Sequence, residues 1–453
     1  MYDLFIIIKI IFLILYYIIK KKCKNIFFNR RYSRIVENNI KFKVIKPKNI
    51  LDVINIIKYA NNNNFKITSI SGGHSYYFLK EFPKFNINNL IIIDVCLLNK
   101  INYIKNNSYI NIEAGVLAGD IKKFNNKLKN KYWCLHGNCD SVGLGFWING
   151  GQHSGFNIYS YMSGICGSDC IKTINYVDAF GNYKSISKKN GDLFKAVKMI
   201  AGEFGCITSL DINLIKGYKL IHKCFVISTN NSTIKKIFYE LSINKILNVD
   251  GITTQLALCP YNLQYIVCSY DPSIYTENIF KIIEKNFKIT IKKTITFFSN
   301  LIINNFDWGL AYNIFFNNNW INVANCINNK DFRIVNNIID LYFKNTNCVF
   351  WIYTCGKISE NLIPNSEKDF IFIDCSLQFN DNRIDIIKNL YTNSRLNLMY
   401  FNEPIYGKNI EDYFSIYSPL SYHELCNLKK IYDPKNIFIN RNSLINNNFI
   451  NNF

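Results

Sequence analysis

Apolar and polar positions in the first half of this chain fall into short blocks of two different periods. Residues 49–61 (NILDVINIIKYAN) place apolar side chains at helical spacing, which predicts a helix; 65–70 (FKITSI) reads as a strand running straight into Ser71-Gly72-Gly73-His74-Ser75. The run 90–95 (LIIIDV) is apolar without alternation, as a strand buried on both faces would be. Residues 109–113 (YINIE) alternate, and Ala114-Gly115-Val116 then turns into a predicted helix over 118–128. A long strand at 171–179 (IKTINYVDA) ends at Phe180-Gly181-Asn182. A helix runs from Asp192-Leu193-Phe194 to Gly202, and Phe204-Gly205-Cys206-Ile207-Thr208 opens another strand. Strands interleaved with helices argue for α+β or α/β and against a bundle.

Beyond residue 217 glycine becomes scarce. Strands such as 224–228 and 370–379 alternate with amphipathic stretches such as 233–243 and 332–343, so a second domain with its own sheet is expected. After Met399 the chain passes Pro404 and Gly407 and reaches a predicted helix at 422–431, closed by Tyr432-Asp433-Pro434. No internal repeat is evident. With 453 residues, of which 49% are hydrophobic, the chain is long enough for two or three cores.

Composition changes this picture little. The formal net charge of +21 would admit nucleic acid as a partner, but the lysines are scattered among Asn, Ile, Tyr and Phe, as A+T-rich codon usage produces. No dense basic run occurs beyond Lys20-Lys21-Lys22 and no nucleic-acid motif accompanies the charge, so no nucleic-acid partner is expected. The 15 cysteines lack paired zinc spacing. Cys134 with Cys139, or Cys166 with Cys170, could pair, although small buried hydrophobes plus one special cysteine is the preferred reading. The apolar stretch 4–19 reads first as a single membrane anchor, second as an uncleaved or atypical signal, and third as a product of codon bias. If it spans, the lysines after it favour the cytoplasmic side for the main body.

The candidate chemistry lies in two glycine-bearing stretches, Ser71 to Ser75 and, further on, Gly137-Asn138-Cys139-Asp140-Ser141-Val142-Gly143-Leu144-Gly145. Each sets one nucleophilic side chain, an imidazole or a thiol, in backbone stripped of bulk. There main-chain N–H groups can approach a large planar or anionic ligand. Gly143, Gly145 and Gly150 do not make a dinucleotide fingerprint, because the required strand, helix and acidic residue are not in place.

In order along the chain, these motifs resemble those of the FAD-linked oxidases of the vanillyl-alcohol-oxidase superfamily, in particular the berberine-bridge-enzyme-like group. The resemblance runs over roughly 33–217 and resumes from about 350 to the end. SGGHS after its strand is similar to the flavin pyrophosphate loop and implies that His74 is the histidine linked to the flavin. HGNCDSVGLG resembles Gly-x-Cys-Pro-Thr-Val-Gly-x-Gly and implies that Cys139 is the linked cysteine, with Ser141, Val142, Gly143 and Gly145 around it. Gly150-Gly151-Gln152-His153 stands where the family has a glycine run, and the strand containing Ile207 completes the first block. YDPKNIF with Asn442-Ser443-Leu444 resembles the C-terminal Tyr-Asp-Pro-x-Asn-x-Phe and Gln-Ser-Ile.

The implied fold is α+β. A PCMH-type, two-subdomain FAD-binding domain over 33–217 is completed by 399–453, around an inserted substrate domain at 218–398 whose antiparallel sheet is flanked by helices; 1–28 is the hydrophobic N-terminal segment. FAD, attached at both His74 and Cys139, is the implied cofactor. Taken alone, His74 reads as a loop imidazole capping backbone.

Oxidation of an alcohol by hydride transfer needs a base for the hydroxyl proton. In 370–379 (FIFIDCSLQF) a single carboxylate, Asp374, shares a face with Phe370, Phe372, Ser376 and Gln378, while Ile371, Ile373, Cys375 and Leu377 share the other. Burial there would raise its pKa towards a base's working range. A satisfied structural carboxylate is the bland alternative. Tyr76 resembles a family tyrosine that contacts substrate. In Met399-Tyr400-Phe401-Asn402-Glu403-Pro404, Asn402 keeps its family place, but Glu403 stands where the family has a second tyrosine. Ile70 replaces an arginine before the loop, and Ser418-Pro419 replaces Tyr-Gly.

The expected activity is therefore oxidation of an alcohol or sugar hydroxyl, with O2 as acceptor. A sugar-lactone oxidase, or a flavin-binding, membrane-associated or structural protein that has lost turnover, are the competing readings.

Overall fold

A computed structural model of the protein describes residues 43–72, 90–103, 108–128, 132–136, 142–143, 167–217, 221–227, 230–243, 252–259, 263–270, 293–295, 320–328, 332–355, 370–378, 381–392, 398–399 and 420–439. Strand β1 (Lys43–Ile45) leads into helix α1 (Ile50–Asn62), whose N-cap Asn49 accepts from Asp52 N at 3.0 Å and whose Val53, Ile57 and Ala60 are buried. The cap satisfies an orphan donor, and the buried positions form one helical stripe. Strands β2 (Lys66–Ile70) and β3 (Leu90–Asp94) follow, and β3 lies between β1 and β2 in a parallel three-stranded sheet. All five residues of β3 are buried, which accounts for its unbroken apolar run.

A second sheet is antiparallel. It contains β4 (Ile101–Tyr103), β5 (Tyr109–Glu113), β7 (Ile171–Val177), β8 (Tyr183–Ser187) and β9 (Cys206–Asn213), in the order β4-β5-β9-β7-β8. Helix α2 (Ala118–Lys127) follows β5, and helix α3 (Gly191–Ile200) precedes a short turn of 3-10 helix, Ala201–Glu203, that feeds β9. Strands β6 (Tyr132–Trp133) and β10 (Ile215–Lys216) make a small antiparallel pair.

The third sheet has eight strands. These are β11 (Ile221–Ile227), β12 (Ile252–Cys259), β13 (Leu263–Tyr270), β14 (Lys293–Ile295), β15 (Trp320–Asn328), β16 (Val349–Cys355), β17 (Phe370–Gln378) and β18 (Leu398–Met399), in the order β14-β11-β13-β12-β16-β17-β15-β18, with every pair antiparallel. Helices α4 (Asn231–Ile243), α5 (Phe332–Lys344) and α6 (Arg383–Thr392) lie between its strands in sequence. Strict alternation divides β16 between two faces. Phe350 packs towards α5, its ring 6.2 Å from that of Tyr342, while Val349 and Trp351 join the core shared with the other sheets.

That core is continuous. It includes Ile67, Ile91 and Ile93 from the parallel sheet, Ile110, Ile174 and Leu210 from the five-stranded sheet, and Ala257, Cys259, Val349 and Trp351 from the eight-stranded sheet. The last helix, α7 (Tyr422–Tyr432), starts in a reciprocal cap between Ser421 and Glu424, and the chain after it returns to β2. Ile67 N donates to Ile437 O at 2.7 Å and Ile439 N donates to Ile67 O at 2.9 Å, forming a parallel bridge between Ile67 and Phe438. The architecture is α+β, as expected from the sequence. Among the described residues no helix is long and apolar enough to cross a membrane; the apolar stretch 4–19 lies outside them.

Candidate functional site

Strand β2 ends at Ile70, opposite Asp94, and the chain continues into Ser71 and Gly72. Ser71 Oγ donates to Ala114 O at 2.6 Å, and Ala114 N donates to Thr208 O of β9 at 2.8 Å. The turn after β5 therefore joins the parallel sheet to the antiparallel one. Gly115 sits inside this junction with its N–H donating to Leu98 O at 2.6 Å; a Cβ there would meet Leu98 O at 2.6 Å and come closer still to Val95 O. Only glycine lets these carbonyls approach.

The second glycine-bearing stretch arrives at the same place. Val142 O accepts from Ala118 N at 2.9 Å, occupying one of the free N–H groups that open α2. Gly143 then lies directly on the first stretch: a Cβ there would stand 2.7 Å from Ser71 Cβ and nearer still to Ser71 Oγ and Gly72 N. Ser71, Gly72, Val142 and Gly143 are thus brought together from two parts of the sequence. Ile207 is buried in β9 next to Thr208, whose hydroxyl donates to Asn175 O at 3.1 Å.

Asp374 occupies the middle of β17, paired across the sheet with Trp351 of β16 and Ala324 of β15. Directly opposite residues in an antiparallel sheet share a face. Position 374 is therefore on the face that Trp351, with Val349, Ala257 and Cys259, presents to the core shared with the other sheets. Ile373, Cys375 and Leu377, all fully buried, alternate onto the face that Phe350 shares with α5. Alternation along the strand predicts these two sets; the pairing with β16 decides which of them meets the shared core.

Gly73, His74, Ser75, Tyr76, Cys139, Ser141, Gly145, Gly150, Gly151, His153, Asn402, Glu403 and Asn442 lie outside the described residues. Cys134, Cys206 and Cys348 are buried free thiols. Burial, with a smaller contribution from nearby Cys170, pushes Cys134 well above the usual thiol range, and burial pushes Cys206 up to about 12 against a hydrogen bond with Ser69. Such thiols stay protonated and unreactive. They match the reading of most cysteines here as small buried hydrophobes.

Sequence reasoning missed a charged cluster behind the site. Lys429, Glu203 and Asp433 are all wholly buried and in contact. Lys429 and Asp433 stand four apart at the end of a predicted helix, a spacing that was visible in the sequence but reads as a surface pair.

Comparison with known proteins agrees with this geometry. Residues 43–186 match the family described as FAD binding domain. The chain is 28% identical over 200 residues to berberine bridge enzyme-like 6 of Arabidopsis thaliana, which covers 43% of this chain and 34% of the relative. It is 28% identical over 154 residues to a carbohydrate oxidase of Microdochium nivale, covering 33% of this chain and 29% of that protein. The matches thus span about a third of the length of these curated relatives. Among solved structures, BBE-like 1 of Physcomitrella patens superposes with a TM-score of 0.69 at 18% identity, over 90% of this chain and 92% of that one. Residues 43–186 thus match an FAD binding domain, and the chain has the fold of the berberine-bridge-enzyme-like proteins.

Proposed function

We propose that the protein is an FAD-dependent oxidoreductase that takes hydride from a CH–OH group of an alcohol or carbohydrate, with the flavin attached at His74 and Cys139 and reoxidised by O2. The observation that carries the reading is the bare backbone where Gly143 meets Ser71 and Gly72. The two stretches touch with no room for a methyl group between them, and backbone this free of side-chain bulk suits the close approach of a flat anionic group to main-chain N–H donors. When bound, FAD supplies the hydride acceptor. The domain division expected from sequence, 33–217 with 399–453 around 218–398, is part of the same proposal.

In this reading Ser71, Gly72, Val142 and Gly143 hold the cofactor by backbone contact. His74 and Cys139 retain it covalently, and Asp374 takes the hydroxyl proton of the donor. The face occupied by position 374 supports that role, because it turns towards the domain that carries the two glycine-bearing stretches. Tyr76 and Glu403 are assigned to substrate contact and proton transfer. The carbohydrate oxidase among the relatives supports a sugar as donor.

The test is anaerobic mixing of the purified yellow protein with mono- and oligosaccharides and with aromatic alcohols, followed by absorbance. Bleaching by one class, reversed on admitting air, is the expected result. A flavin that no CH–OH donor bleaches would overturn the assignment of activity while leaving cofactor binding intact.

A further inference from the structure

Buried charge in a fold is costly, and three charges meet behind this site. Lys429 Nζ donates to Glu203 O at 2.6 Å, Phe438 O at 2.7 Å and Asp433 Oδ2 at 2.8 Å, and it stands 3.2 Å from Glu203 Oε2. Three hydrogen bonds use all three ammonium protons, so the approach to the Glu203 carboxylate is an ion pair rather than a further hydrogen bond. Asp433 is occupied in turn, accepting from Ile437 N and Phe438 N at 2.9 Å each. Desolvation costs several kcal/mol per ion, and breaking such a group by removing one member is more damaging than replacing it whole.

The partners of this ammonium lie on two segments, the turn at Ala201–Glu203 and the C-terminal stretch that carries Lys429 itself. Glu203 closes the turn that enters β9, on which Ile207 lies. Phe438 is bridged to Ile67 of β2, and β2 continues into Ser71 and Gly72. Lys66, next to Ile67, reinforces the seam by donating to Asn436 O at 2.6 Å. One side chain on the C-terminal helix therefore ties the entry to β9, whose Thr208 O accepts from Ala114 N, to the return segment that pairs with β2, the strand that runs into Ser71 and Gly72.

We propose that Lys429 is a positioning residue for the cofactor, a buried latch through which segment 420–439 holds β2 and β9 in the register that FAD requires. The proposal rests on the reading that the cradle at Ser71, Gly72 and Gly143 belongs to the FAD site. Linkage makes the coupling reciprocal: if the latch favours FAD, FAD must stabilise the latch.

Amide hydrogen exchange on the full-length protein tests this without a substitution, by comparing protein purified from riboflavin-replete cells with flavin-free protein from riboflavin-limited cells. FAD should slow exchange at Ile437, Phe438 and Ile439 at least about fivefold, the low end of ordinary coupling. Protection of Ser71, Gly72 and Gly143 with no change at 437–439 overturns the latch alone. Absence of protection at the cradle overturns the underlying site.

Lys429→Met with Glu203→Gln, which removes the cation together with one carboxylate, supplies a second reading. Its flavin-to-protein ratio should fall at least about fivefold and its visible circular dichroism should change, with cooperative thermal unfolding retained. A folded double variant with the wild-type ratio and visible spectrum contradicts the proposal. If the variant does not fold, hydrogen exchange decides alone.

Discussion

Replacing Gly143 by alanine places a methyl group where the two glycine-bearing stretches touch. The new Cβ would lie 2.7 Å from Ser71 Cβ and closer to Ser71 Oγ and to Gly72 N. Ser71 could rotate, but only by giving up its 2.6 Å hydrogen bond to Ala114 O, and Gly72 N is main chain at the end of a paired strand. Overpacking of this kind costs roughly 1–3 kcal/mol. The lost hydrogen bond adds about 0.5–1.5 kcal/mol. Gly143→Ala should therefore lose roughly 2–4 kcal/mol by chemical denaturation. Separation of the two stretches should also lower the flavin-to-protein ratio.

Gly191→Ala is the matched control. Its backbone has φ 54 and ψ −122, a glycine conformation, yet nothing stands within 4 Å of the added Cβ. Backbone strain should cost roughly 1–3 kcal/mol there with no effect on flavin content. If Gly143→Ala kept wild-type stability and full flavin, or if the control lost flavin equally, the reasoning about a local cradle would be refuted.

Two further outcomes follow from the eight-stranded sheet and the helices between its strands. Asp374→Asn should slow anaerobic bleaching by the best donor at least roughly tenfold at unchanged flavin content, since a positioned general base contributes at least that much; an unchanged rate would remove Asp374 from proton transfer. Asp381 is held below the usual carboxylate range: burial acts against its charge, but Arg383 outweighs burial through hydrogen bonds, 2.8 Å from Nε to Oδ1 among them, and through its own charge. Its folded pKa lies below the unfolded value, so the pair's stabilisation is present above about pH 3.9 and fades as pH falls through the folded value. Urea midpoints at pH 5 and pH 3 should differ less for Asp381→Asn than for the parent; equal differences would contradict the pairing.

Elements of the first half of the chain were legible wherever period and punctuation agreed. The helix expected at 49–61 is Ile50–Asn62, and the strand expected at 90–95 is Leu90–Asp94, because Asp94 turns to cap the N–H of Cys96 at 3.1 Å and ends the strand. β4 and the pair β6 and β10 are too short to leave a period, with only two or three residues each. In the eight-stranded sheet the sequence showed that Asp374 differs in face from Ile373 and Cys375. The register with Trp351, which tells which face meets the shared core, is a contact between strands and has no sequence signature.

The cluster around Lys429 was hidden for the same reason. Its helical neighbour Asp433 is visible four residues away, whereas Glu203 is 226 residues away and turns an apparent surface pair into a buried one. The motif YDPKNIF was read as a family mark. Its physical role is specific: Asp433 accepts the backbone N–H groups that shape the return to β2.

The central claim is that one FAD joins the two glycine-bearing stretches. The most direct measurement is proteolytic digestion of the acid-precipitated protein, with isolation of yellow material and mass analysis of its peptides. The account predicts a single flavin-bridged pair, one peptide containing His74 and the other Cys139. Colourless peptides with both residues unmodified, or a flavin on neither stretch, would contradict it.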